Sequence, residues 1–102
     1  MEVKIINASN FEELANGDKP LLVDFYADWC GPCRMLASVI AEIAAEHPEI
    51  TVGKVNVDKE SALAARFGIS SIPFVALIKG GEVIATSLGY RTKEALLAAL
   101  GI

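Results

Sequence analysis

The stretch Leu21-Leu22-Val23-Asp24-Phe25-Tyr26-Ala27-Asp28-Trp29-Cys30-Gly31-Pro32-Cys33-Arg34-Met35 decides how this chain folds. Leu21 to Ala27 is almost continuously apolar between Pro20 and the Asp28-Trp29 turn, the pattern of a strand covered on both faces, and it marks the centre of a sheet. Pro32 has no N–H to donate and clashes inside a helix, so the helix that follows must begin at about Gly31 or Pro32. Met35, Leu36, Val39, Ile40, Ile43 and Ala44 then recur at helical spacing as far as His47, and Pro48 closes the segment. The central strand therefore feeds directly into the longest helix, and Cys30 and Cys33 stand at the junction.

Outward from this junction the elements alternate. Val3 to Ile6 alternates as a short strand, and Asn7 to Asn10 supplies capping residues before a helix over Phe11 to Ala15, ended by Asn16-Gly17-Asp18. Thr51 to Val57 is a strand, and Ser61 to Phe67 an alanine-rich helix stopped by Gly68. Phe74 to Ile78 and Val83 to Ser87 flank the glycine turn Lys79-Gly80-Gly81-Glu82 as a hairpin, and the last helix is Thr92 to Leu100. The order β-α-β-α-β-α-β-β-α predicts an α/β fold. Its sheet is mixed, parallel where helices cross over and antiparallel at the hairpin, with helices on both faces.

The chain has 102 residues, 53% hydrophobic and 22% charged, which predicts a single globular domain over residues 1–102. A net charge of −4 without any Lys/Arg cluster argues against nucleic acid as a partner. Every apolar run falls far short of the roughly 20 residues that span a bilayer, and the first residues lack the pattern of a secretory leader. No membrane partner and a reducing cytoplasm are expected. In that setting two cysteines two residues apart read as catalytic or metal-binding thiols.

A thiol attacks a disulfide only as thiolate. Cys30 lies at the helix amino end, where unpaired N–H groups and the positive end of the dipole stabilise that charge, while Cys33, one turn inside, is the more sheltered thiol. Two rival readings exist. A purely structural crosslink across so small a ring removes little unfolded-state entropy. A Zn or iron-sulfur site needs four ligands, and His47 lies about 20 Å along the helix from Cys33, so one subunit cannot complete the shell. No metal and no cofactor are expected, since Gly80-Gly81 is only a turn and not a nucleotide-binding motif.

Val23 to Met35, with Lys54-Val55-Asn56-Val57-Asp58, Phe67-Gly68-Ile69, Ile72-Pro73, Lys79-Gly80-Gly81-Glu82 and Gly89, resembles the thioredoxin family over essentially the whole chain. The resemblance implies a thioredoxin fold, a central mixed sheet of about five strands flanked by four helices, in agreement with the element order. It implies a dithiol-disulfide oxidoreductase that reduces protein disulfides through Cys30 as nucleophile and Cys33 as resolving thiol. Gly31 and Pro32 belong to that motif, and Gly31 leaves the backbone beside Cys30 open. Asp24 is implied as the buried proton acceptor; burial among Leu22, Val23 and Phe25 would raise its pKa, the alternative being an Asp bonded to backbone. Lys54 matches the family lysine near that carboxylate, against a reading as a solvated strand lysine.

Sequence physics alone favours a trans bond before Pro73, whereas the resemblance implies a cis Ile72-Pro73 bond beside the dithiol. Trp29, Ile72, Pro73 and Gly89 would form an apolar apron for protein substrates with Gly31 and Pro32, although Trp29 could instead be partly core. The implied partners are disulfide-bearing proteins and thioredoxin reductase as electron donor, with the chain a monomer. Three positions depart from the family pattern. Ser38 replaces a helix-kinking proline, Phe74 a threonine, and Ser70-Ser71 a pair such as Arg-Gly.

Overall fold

The computed structural model of the chain describes residues 2–102. Its elements are β1 (Val3–Ile5), α1 (Phe11–Ala15), β2 (Leu21–Tyr26), α2 (Gly31–Glu46), β3 (Thr51–Asn56), α3 (Ser61–Arg66), β4 (Phe74–Lys79), β5 (Glu82–Leu88) and α4 (Lys93–Leu100). The strands form one sheet in the order β1-β3-β2-β4-β5. The two helical crossovers make β3 parallel to β1 and β2, while β4 runs antiparallel to β2 and β5. This is the mixed sheet with four helices that the element order predicts.

β2 is central because its side chains are apolar on both faces, and Leu21 to Phe25 are all buried. One face of the sheet packs Leu22, Val52, Val75 and Leu77 against Leu36, Ile40 and Ile43 of α2 and Leu96 and Leu100 of α4. The opposite face packs Val23, Phe25, Val55, Ala76 and Ile78 against Phe11 and Ala15 of α1 and Leu63 of α3. Each fully buried side chain of this size contributes about 1.5–3 kcal/mol, so the central strand is the most firmly held support available for a site. At Gly53 on β3 any Cβ would collide with the Ile6 side chain, which lies buried directly against the strand.

Local details correct three sequence expectations. The β4–β5 ladder continues through Lys79 opposite Glu82, so the turn is only Gly80-Gly81, whose φ values of 59° and 82° suit a two-residue hairpin loop. Asn10 precedes α1 but its side chain does not cap the helix. Instead the Asn7 side chain accepts from the Ser9 and Asn10 N–H groups at 2.8 and 3.1 Å, while Asn10 donates to the Ile5 carbonyl at 2.9 Å. Asn7 thus caps the turn that leads into α1, as the sequence predicts, while Asn10 reaches back to the end of β1, which stops at Ile5 and not Ile6. Thr92 is the N-cap of α4 rather than its first residue, accepting from Ala95 N–H at 3.2 Å.

Candidate active site

The turn from β2 into α2 sets the two sulfurs. Cys30 donates its N–H to Ala27 O at 3.2 Å and keeps an extended backbone (φ −88°, ψ 111°) as the N-cap of α2. Its Sγ accepts from Cys33 N–H at 3.2 Å, the place an Asp or Ser oxygen takes in an ordinary cap. A sulfur there faces the unpaired donors and the positive end of a 16-residue helix. The Cys30 and Cys33 Cα atoms are 5.2 Å apart and the side chains close as a disulfide. Cys30 is less exposed than its position at the helix end suggests. It is 5% accessible against 2% for Cys33, because Ile72 and Val57 pack over the pair.

Around this ring the structure gathers residues from distant segments. The Ile72-Pro73 bond is cis, and the Ile72 carbonyl oxygen lies 4.0 Å from Cys30 Sγ. Gly89, at φ 85°, donates its N–H to Pro73 O at 2.8 Å and so ties the end of β5 to that loop. Trp29 is 69% exposed, which removes the reading as core, and its indole N–H donates to Asp58 Oδ2 at 2.8 Å. A groove of about 150 Å³ runs between Trp29, Val57, Ile69, Ser70, Ser71 and Ile72. Ser70 and Ser71, which depart from the family pattern, thus line it, whereas Phe74 lies on β4 against Phe25, with ring centroids 6.2 Å apart.

Behind the dithiol, Asp24 projects from β2 toward α2. It is 4% accessible and its Oδ1 has no hydrogen-bond partner, so the alternative of a backbone-bonded aspartate is not met at that oxygen. Burial pushes its pKa up to about 7, partly offset by the positive charge of Lys54. Lys54 sits directly opposite Asp24 in the β2–β3 ladder, yet its ammonium lies over the Tyr26 ring, 5.5 Å from the centroid. A cleft of about 150 Å³ joins Asp24, Tyr26, Lys54, Arg34 and Cys33, but not Cys30. The two sulfurs therefore face different surroundings: Cys30 the cis-proline loop, Cys33 the buried carboxylate.

Three contributors escape the sequence reading. Asp58 and Trp29 are 29 residues apart, and no spacing rule joins them. Arg34 lines the Asp24 cleft with its guanidinium engaged by Asp28 O at 2.9 Å. Tyr26 was readable in principle, since it is two residues beyond Asp24 and strand alternation puts both on one face. His47 sits at the far end of α2 with its ring 2.8 Å from Glu49. Among the described residues no three His, Cys, Asp or Glu side chains converge as metal ligands, and no helix is long and apolar enough to cross a membrane.

A dithiol at a helix start, backed by a buried carboxylate and fronted by a cis-proline loop, defines a protein of thiol-disulfide exchange. The family model described as Thioredoxin matches residues 2–101, and the chain belongs to that family. It is 50% identical over 93 residues to a thioredoxin of Alicyclobacillus acidocaldarius subsp. acidocaldarius, covering 90% of this chain and 89% of that one. It is 42% identical over 96 residues to a bifunctional thioredoxin reductase/thioredoxin of Mycobacterium leprae, covering 93% of this chain and 21% of that protein. The fold is similar to the crystal structure of Malassezia sympodialis thioredoxin (Mala s 13), with TM-score 0.89 and 33% identity over 98% of this chain and 89% of that one. The protein is a dithiol-disulfide oxidoreductase, and the Cys30–Cys33 pair fits its redox-active site.

Proposed function

We propose that Cys30 is the nucleophile of a protein disulfide reductase and Cys33 the resolving thiol. The observation that carries this is the Cys30 sulfur in the N-cap of α2, accepting from Cys33 N–H, where a thiolate is stabilised before any substrate arrives. The Cys30 thiolate attacks one sulfur of a client disulfide, forming a mixed disulfide and releasing the other client sulfur as thiolate. Cys33 then passes its proton to Asp24, and its thiolate attacks Cys30 Sγ. The second client thiolate leaves, and Cys30 and Cys33 remain as a disulfide. Two electrons have moved to the client, so a two-electron donor must restore the dithiol. Thioredoxin reductase fills that role, a reading supported by the fused reductase/thioredoxin relative.

Asp24, titrating near 7 behind Cys33, is matched to accept a proton at neutral pH, with Lys54 tuning it by charge. Gly31 and Pro32 shape the first turn of α2, while Trp29, Ile72, Pro73 and Gly89 form the surface on which an extended client segment docks. We take the chain to be one domain that works as a cytoplasmic monomer without a cofactor. The decisive measurement is trapping: Cys33→Ser should accumulate client mixed disulfides and Cys30→Ser should accumulate none. Equal trapping by the two variants would overturn the assignment of nucleophile.

A further inference from the structure

We propose that Tyr26 is a positioning residue: its ring holds the Lys54 ammonium off Asp24, so that the carboxylate has no cation in pairing contact. This rests on the reading of Asp24 as proton acceptor. Lys54 faces two attractive groups. The nearer by register is Asp24, its direct partner across the parallel β2–β3 ladder. The other is Tyr26, two residues further along β2 and therefore on the same face. The ammonium takes the ring, at 5.5 Å from the centroid and inside the roughly 6 Å reach of a cation-π contact, and forms no ion pair with Asp24.

The ring is held where it is. Tyr26 packs against the buried cluster of Ala27, Cys30 and Cys33, which restrains its ring. The other groups that face this cleft do not replace Lys54. Arg34, from α2, is committed to the Asp28 carbonyl, Asp28 is itself an acid, and Cys33 contributes a sulfur. From β4 the residue opposite Asp24 is the apolar Val75. A lysine in contact with Asp24 would stabilise the carboxylate and make it a poorer base for the Cys33 proton. A lysine parked on the ring leaves Asp24 basic enough to act while still lowering its pKa from a distance.

The test compares Tyr26→Phe and Tyr26→Leu by NMR titration of the Asp24 carboxyl in the disulfide form, alongside the pH profile of mixed-disulfide resolution. Phe keeps the ring face, so the midpoint should stay at the wild-type value. Leu removes it, and the midpoint should fall by at least about one pH unit as Lys54 closes on the carboxylate, the rate profile moving with it. Lys54→Met, which by itself should raise the midpoint, distinguishes this from a simple gain of solvent: Tyr26→Leu added to Lys54→Met should produce no fall from that raised value. An unchanged midpoint in Tyr26→Leu, an equal fall in Tyr26→Phe, or a fall that persists without Lys54 would each overturn the proposal. The role of Asp24 fails separately, if Asp24→Asn resolves mixed disulfides at the wild-type rate; the carboxyl titration still decides the case of Tyr26.

Discussion

Lys93, at the start of α4, reaches Glu46 at 2.9 Å and Glu42 at 3.3 Å on the surface of α2, whereas Lys54 lies directly across the ladder from Asp24 and makes no ion pair. The ingredients are the same and the surroundings opposite. Glu42 and Glu46 keep most of their hydration, so pairing costs little and contributes little. Asp24 is buried and no protein group donates to its Oδ1, so its charge is disfavoured. Ion pairs form in this molecule where they matter least. The unpaired carboxylate shares a cleft with Cys33, where the proposed cycle calls for a proton acceptor.

The sharpest way to break this contrast is to remove the buried carboxyl and follow stability against pH. Asp24 binds its proton more tightly in the folded protein, with a pKa raised from 3.8 to about 7. Between those values the folded state holds more protons than the unfolded one, so stability must fall as pH rises from about 4 to about 7 and level off above. Urea unfolding of Asp24→Asn should lack that decline, and at pH 8 the variant should be more stable by on the order of 4 kcal/mol, less the cost of a buried amide. Parallel profiles for the two proteins would mean that Asp24 ionises without penalty.

The same substitution should cost the catalytic cycle. Loss of a positioned general base should slow resolution of the mixed disulfide by roughly 10²-fold at pH 7, with the deficit shrinking as pH approaches the free thiol range. Stopped-flow release of a client from the Cys30 adduct measures it, and a uniform loss at all pH values would point to damage other than a missing base.

The surface side of the comparison predicts the smallest effect. Its two glutamates hold the Lys93 pKa above the ordinary value, so any contribution to stability is present below pH 10.5 and fades only as pH rises through the raised value. Lys93→Met should leave the unfolding midpoint at pH 7 within the scatter of repeat measurements, and added salt should not change that. A clear loss of stability would show that the α2–α4 network is more than surface decoration.

Much of this was legible from the chain. Leu21 to Ala27 followed by Pro32 dictates a buried strand running into a helix, and Cys30 at its start follows from the missing proline N–H. Trp29 with Asp58 and Lys54 with Tyr26 were not legible, because each contact joins β2 or its turn to another strand or loop, and local spacing carries no information about such partners. The capping role of Asn7 was legible, since its side chain accepts the Ser9 and Asn10 N–H groups before α1, whereas the bond from Asn10 back to the Ile5 carbonyl joins a helix start to a strand end and was not.

By itself the sequence determined the order of elements, the central place of β2 and the position of both cysteines at one helix start. These depend on hydrophobic period and on proline geometry, which act within a few residues. Only the tertiary structure decided which sulfur faces which neighbours and whether Asp24 keeps a counterion. Those outcomes turn on desolvation and on competition between side chains, and both arise only once the sheet and α2 have closed around the site.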